Sequence, residues 1–340
     1  MSRPGLRART ASVPEFVWLL AGSVALALLT YALIPSAHVG YDASYQLASA
    51  QEIWAGQEPG YALAVPSPTP HPLVTLVTLL IVPAGAAAFT IFLALSLLIY
   101  GALLCGAGQL GARIAGWPAG VVATVAVFAS APITQLAART YVDVWSACAV
   151  VWAVALELRT PRRGWPVVVL LTLAGLLRPE AWILAGAYWL HLFPGTTWPE
   201  RIRLGAITAA GPALWVLHDW LLTGDLLHAR TQNTDAAERL SSTLDVADLW
   251  PTIPSALDEL LAPAIVIGAI AGTVYGWLHG RRETVTLVAA AVISGATTGN
   301  SRKRGRKTTR PASAMRMVVA PLITAAATSV TVSRRPWSQP

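Results

Sequence analysis

The sequence predicts an all-α, polytopic integral membrane protein, and three observations predict it. Hydrophobic residues make up 55% of the 340 and charged residues only 12%, with a mean hydropathy of +0.56; a soluble domain of ordinary composition carries about 25% charged residues. Apolar runs recur along the chain at 13–35, 73–106, 118–133, 144–158, 165–177, 181–193, 204–222, 260–278 and 285–296. Arginines gather in alternate gaps between these runs, as the positive-inside rule demands of a chain that crosses a bilayer repeatedly. Together these features give about 8–9 transmembrane helices.

The chain opens with a cytoplasmic N-terminus, 1–12, in which Arg3, Arg7 and Arg9 precede the first run. That run, 13–35, offers about 20 nearly uninterrupted apolar residues, enough for a hydrocarbon core of roughly 30 Å. A cleaved signal peptide is the competing reading, because the basic start and the terminal "PSA" suit one. The run exceeds the roughly 7–15 residues of a signal-peptide core and many runs follow, so a retained signal anchor is expected. Residues 36–72 then form a large first extracytoplasmic loop, 73–222 a transmembrane bundle, 223–259 a second extracytoplasmic segment and 260–296 the last transmembrane helices. The run 73–106 is long enough for two crossings, but two would move Arg113, Arg159, Arg162, Arg163, Arg201 and Arg203 to the side opposite the N-terminus. A single crossing, with Leu73 to Pro83 as a re-entrant or interfacial lead-in, keeps all of them cytoplasmic. Several runs fall short of about 17 residues, so partial penetration is expected.

The net charge of +7 belongs to the tail, 297–340. Residues 1–300 hold 15 Arg and no Lys against 17 acids, whereas the last forty hold 9 basic residues and no acid. A nucleic-acid partner is therefore not expected. The cluster "SRKRGRKTTR" reads as a binder of anionic lipid headgroups, as a solvated basic tail, or as the product of a shifted reading frame. A span at 285–296 would place this cluster outside, so residues beyond about Gly295 are expected not to be an authentic part of the fold. Cys105 and Cys148 lie inside apolar runs without metal-ligand spacing and indicate neither a disulfide framework nor a metal site.

Polar chemistry collects on the extracytoplasmic face. In "YDASYQLASAQEIWAGQEP" a helix would place Ala43, Leu47, Ala50 and Trp54 on one stripe and Asp42, Tyr45, Gln46, Ser49 and Glu52 on the other. Such a helix is expected to lie in the interface with its apolar stripe on lipid and its polar side on an aqueous cavity; a solvated linker helix is the plainer alternative. The proline-rich "PSPTPHPL" returns the chain to the membrane and delivers His71, which is either a turn residue or part of a site. Asp143 in "RTYVDVWSACAVV" stands at the mouth of a span, as a helix cap or as a second carboxylate. In "GLLRPEAW", Arg178 and Glu180 form a turn ion pair or face one cavity, since Pro179 favours a helix break after Arg178.

The order of a basic start, one span, a loop opening with "YDASYQLASAQEIWAG", a "PHPL" return, then "TYVDV" and "LLRPEAW", resembles the GT-C superfamily of polyprenyl-phosphate-sugar-dependent glycosyltransferases. Protein O-mannosyltransferases, aminoarabinose transferases and actinobacterial mannosyl or arabinosyl transferases belong to it. "GPALWVLHDWLLTGDLLHARTQNTDAA" also resembles a segment of bacterial members, and the likeness covers roughly residues 14–278. Family members commonly continue with further spans and sometimes a soluble C-terminal domain.

The resemblance implies a multi-pass plasma-membrane enzyme of the cell envelope with an extracytoplasmic active site. Asp42 takes the position of the catalytic base, and Asp143 that of a second acidic residue shaping the acceptor or metal region; a divalent metal is possible, and no other cofactor is implied. The chemistry agrees, because one carboxylate must take the acceptor hydroxyl proton while a cation stabilises the departing lipid phosphate. Arg178 is the first candidate for that phosphate and His71 the second, since guanidinium matches phosphate oxygens bidentately. Tyr41, Tyr45, Gln46 and Glu180 are candidate substrate contacts. The expected partners are a polyprenyl-phosphate sugar donor, a glycan, lipid or protein acceptor, and membrane lipid.

Two other functions suit a chain of this composition. A lipid or small-solute transporter or flippase would place ionisable groups at mid-membrane on broken helices, often in repeated halves. No repeat is visible, and Glu157, His191 and Asp219, the nearest to intramembrane charges, all sit near span ends. A non-catalytic assembly factor would use the outer loop to hold a partner and would tolerate neutralisation of Asp42.

Overall fold

The computed structural model describes residues 15–60 and 69–231, so the expectations for the N-terminus, for most of the segment 223–259, for 260–296 and for the basic tail lie outside the described residues. Within the described part every regular element is helical and no strand occurs. The helices are α1 (Glu15–Leu33), α2 (Tyr41–Trp54), α3 (Pro72–Ile81), α4 (Ala88–Ala115), α5 (Trp117–Ala129), α6 (Ala131–Ala138), α7 (Val142–Arg159), α8 (Trp165–Gly175), α9 (Ala181–Leu192) and α10 (Trp198–Thr223).

Two described stretches are long and apolar enough to cross a membrane: α1, and the stretch from Pro72 to Ile114. A third arises if α5 and α6, bent by 65° at Ser130, count as one broken span. In the second stretch α3 runs about 15 Å, too short to cross, and α4 about 42 Å, ample for one crossing. A 3-10 segment, Val82–Ala87, separates them, with Gly85 at φ 61 turning the chain. A short lead-in helix followed by one long apolar helix is the division expected from the sequence, and the length of α4 allows a single crossing. The stretch between the apolar runs 118–133 and 144–158 is helical as far as Ala138 because Pro132 stands in the first turn of α6, where a missing N–H does no harm.

Helix α4 is the hub: α1, α5 and α7 pack on it, α8 continues from α7, and α9 and α10 close around α8. The main core gathers Phe92, Tyr100 and Leu104 of α4 with Trp145 of α7, Val74 of α3 and Leu47 of α2. Phe92 and Trp145 stack with centroids 5.4 Å apart. Small residues allow the closest approach, for a Cβ on Gly101 would stand 2.1 Å from the Ser23 carbonyl oxygen.

Helix α2 departs from expectation. Its apolar stripe faces protein, not lipid: Ala43, Leu47 and Ala50 are buried and only Trp54 stands out. Helices α3 and α4 supply an apolar floor beneath it through Val74, Ala88 and Phe92, so the stripe is covered from within the chain.

Three contacts bring one set of helix ends together. Arg159 pairs with Glu15 at 2.7 Å, Arg113 donates to the Ala155 carbonyl and Arg162 donates to the Pro194 carbonyl at 3.5 Å. Arg113, Arg159, Arg162, Arg163, Arg201 and Arg203 therefore share one end of the bundle. Trp-Pro pairs open α5, α8 and α10 at this same end, and Trp117, Trp165 and Trp198 are each more than half exposed. Exposed tryptophans at this level suit the amphipathic belt of a membrane–water interface. Glu157 belongs to this end too, where its two oxygens accept the Arg162 and Arg163 N–H groups and the Tyr188 hydroxyl.

Candidate functional site

The opposite end holds the acidic residues singled out in the sequence. Asp42 lies in the first turn of α2 and Asp143 in the first turn of α7. A backbone clamp draws these two helix starts together across about a hundred residues. The His38 N–H donates to the Ala138 carbonyl at 2.9 Å, and the Gly40 N–H to the Arg139 carbonyl at 3.1 Å and the Thr140 hydroxyl at 3.3 Å. Glycine is needed at position 40, for a Cβ there would stand 2.4 Å from the Arg139 carbonyl oxygen. Thr140 is buried at φ 56, a left-handed conformation that a β-branched residue adopts only under constraint. Its hydroxyl donates to the Arg139 carbonyl at 2.8 Å while accepting from Gly40.

Asp143 does not cap its helix with its side chain. Its carboxylate instead forms an ion pair with Arg178, which stands in the turn between α8 and α9. The helix break expected at Pro179 is present, but Arg178 reaches Asp143 rather than Glu180, and Glu180 is exposed. Both partners keep access to solvent, with 40% of the Arg178 side chain and 27% of the Asp143 side chain exposed.

Asp42 completes the cluster. Burial, and next the neighbouring Asp143 carboxylate, push the Asp42 carboxyl above its ordinary range, against the opposing pull of Arg178. Tyr141, the residue before α7, feels both carboxylates: burial and then Asp42 hold its phenol protonated, with Arg139 working the other way. Tyr41 stands exposed beside Asp42, and its phenol too is raised, by burial, Tyr45 and Asp42 in that order.

Other expected site residues have different employment. The Tyr45 hydroxyl donates to the Gly60 carbonyl at 2.5 Å, and Glu52 accepts the Gly60 N–H at 3.0 Å, so the two fold the segment after α2 back onto the helix. Gln46 is buried, with its amide donating to the Thr69 carbonyl and accepting from Thr75. It faces the protein interior because the helical period sets it beside Leu47 and Ala50.

His71 precedes α3 and packs edge-on against Trp215 at 5.8 Å. Burial, then Arg178 and His218, depress its imidazole to about 3. It is therefore neutral and adds no second cation for a phosphate. One ring nitrogen is hydrogen-bonded at the Leu177 backbone, and Nδ1 is enclosed without a partner among the described residues.

A divalent metal does not fit these side chains well. Asp143 is held by a guanidinium, and no group of three or more His, Cys, Asp or Glu side chains is placed to hold a metal ion among the described residues. Sequence reasoning missed Gly40, Thr140 and Tyr141, although "VGYD" and "RTYVD" carried a signal: a glycine and a threonine each stand just before an acidic helix start. Compared with known proteins, the chain matches no family model, no curated protein sequence and no solved structure.

Proposed function

We propose that this chain is a multi-pass membrane glycosyltransferase, with about 8–9 spans, that transfers a sugar from a polyprenyl-phosphate donor to an acceptor hydroxyl. The observation that carries the reading is the convergence of Asp42, Asp143 and Arg178 from three separate segments at one accessible end of the bundle. The arginine-rich end with its exposed tryptophans lies opposite, and under the positive-inside rule this supports an extracytoplasmic Asp42 end.

The chemistry follows from the side chains. Asp42 takes the proton from the acceptor hydroxyl as its oxygen attacks the anomeric carbon. The bond from that carbon to the phosphate oxygen breaks, and the electron pair leaves with the lipid phosphate. A raised carboxyl suits this task, because a base works best when its pKa approaches the operating pH. Arg178 answers the charge on the leaving phosphate: Asp143 holds it through one Nη2 contact, and a guanidinium has five N–H donors. Tyr141, kept protonated, supplies a neutral donor beside the two carboxylates.

A transporter reading would rest on Asp219, a carboxylate buried within α10. Both of its oxygens already have partners inside the protein, which leaves that reading the weaker of the two. The test is transfer from labelled polyprenyl-phosphate mannose or arabinose in proteoliposomes. Asp42→Asn is expected to lower the rate by about 10²–10⁴-fold, the usual contribution of a general base. Full transfer by Asp42→Asn would overturn the mechanism, and solute uptake without transfer would favour the transporter.

A further inference from the structure

A chain of buried polar groups leads from the end of α10 to α2, and its hydrogens can be counted. The Ala229 N–H donates to Asp219 Oδ2 at 2.9 Å, and Asp219 Oδ1 lies 3.4 Å from His218 Nδ1. His218 Nε2 is 3.0 Å from the Thr75 hydroxyl, which is 3.4 Å from Gln46 Oε1, and Gln46 Nε2 donates to the Thr69 carbonyl at 3.3 Å. Asp219, Thr75 and Gln46 are all buried, and 11% of the His218 side chain is exposed.

The Thr69 carbonyl fixes the polarity of the whole series. A carbonyl only accepts, so the Gln46 amide nitrogen points at Thr69 and its oxygen at Thr75. The Thr75 hydroxyl has one hydrogen and must give it to Gln46. His218 Nε2 must then donate to Thr75. A neutral imidazole with its hydrogen on Nε2 presents a lone pair at Nδ1, and an ionised Asp219 presents another. The two would repel at 3.4 Å, so the contact is attractive only with one further proton between Nδ1 and Oδ1.

We propose that His218 and Asp219 are positioning residues for sugar transfer, which through this proton and the Thr75–Gln46 link hold α2, and with it Asp42, against α3 and α10. The proposal rests on the transferase reading only for what Asp42 does; the hydrogen-bond series itself stands apart from it. Gln46 lies one helical turn from Asp42 on the same helix, so release of Gln46 lets the start of α2 shift. A shift of about 1 Å at a reacting group costs about 10²-fold in rate.

The proton count makes an unusual demand. Asp219→Asn supplies the missing hydrogen from its own amide: Nδ2 donates to a neutral His218 Nδ1 while Oδ1 accepts from Ala229. This variant is expected to keep transfer within about threefold of wild type. Asp219→Leu removes both contacts and is expected to lower kcat at least thirtyfold with little change in donor KM. Thr75→Val is expected to behave like Asp219→Leu, and Thr75→Ser to restore the rate.

The full-length protein in proteoliposomes serves for every measurement, with melting temperature read in parallel. The same ranking is expected in melting temperature, Asn above Leu at 219 and Ser above Val at 75, and that ranking tests the hydrogen-bond series even if no sugar is transferred. Absence of transfer by wild type would remove the transferase reading alone. Equal damage from Asp219→Asn and Asp219→Leu in both measurements would overturn the relay, as would a Thr75→Val protein with wild-type kcat.

Discussion

Gly40 offers the sharpest test of how the site is assembled. Its backbone, at φ −73 and ψ 176, is one that alanine adopts freely, so Gly40→Ala introduces no conformational penalty of its own. The obstacle is the Arg139 carbonyl oxygen, 2.4 Å from where the new Cβ would sit, about 1 Å short of the 3.4 Å at which ordinary contact begins. That oxygen is backbone and is already engaged by Gly40 and Thr140, so the two segments must part. An opening of about 1 Å carries the Gly40 N–H beyond the roughly 2.7–3.2 Å range of its bonds to Arg139 and Thr140. A buried N–H left without a partner costs about 1–3 kcal/mol.

Helix α2 begins at the next residue, so the displacement reaches Asp42 with little loss. A misplacement of that size is expected to lower kcat about 10²-fold while leaving donor KM within a factor of a few. Transfer kinetics in proteoliposomes measure both constants. Gly186→Ala, in α9 with open space around the new methyl, is the control and is expected to match wild type. A Gly40→Ala protein whose kcat stays within twofold of wild type refutes the claim that this clamp sets the position of Asp42.

The remaining predictions concern charge. Asp143 raises the Asp42 carboxyl and Arg178 lowers it, so the acid limb of the pH–rate profile is expected to move to lower pH in Asp143→Asn and to higher pH in Arg178→Gln. Shifts in the opposite directions would show that a different group titrates. Because the folded state holds the Asp42 proton more tightly than the unfolded chain does, folding loses stability as the pH rises through that raised value. Asp42→Asn, expected to lose most of its transfer activity, is therefore also expected to melt no lower than wild type at neutral pH, with any advantage vanishing in acid; a clear drop in melting temperature at pH 7 counts against this.

Local pattern carried part of this architecture into the sequence. The apolar run of α1, the long apolar helix α4 behind a short lead-in, the helix of α2 and the break at Pro179 all follow from periodicity, proline chemistry and arginine placement, which act within a few turns of chain. The candidate residues Asp42, Asp143 and Arg178 were legible for the same reason: each is an ionisable group at the end of an apolar run. Their mutual arrangement was not. Nothing local distinguishes Glu180 from Asp143 as the partner of Arg178, since the choice depends on how α7 packs against α8 and so brings Asp143 to Arg178, thirty-five residues further along the chain. Gln46 and Tyr45 looked like site residues because they are polar on an amphipathic helix, yet only the packing of α3 and the segment ending at Gly60 decides which atoms they meet.

His71 makes the same point through electrostatics. Its place after "PSPTP" suggested a cation at a rigid turn, and its surroundings, with Trp215, Arg178 and His218 close by, make it neutral. By itself, then, the amino-acid order determined an apolar, helical chain with helices long enough to cross a membrane, and the end at which its acidic groups stand. Tertiary structure alone decided which of those groups meet, because a charge's protonation and a hydrogen bond's partner are set by atoms far away in sequence and near in space.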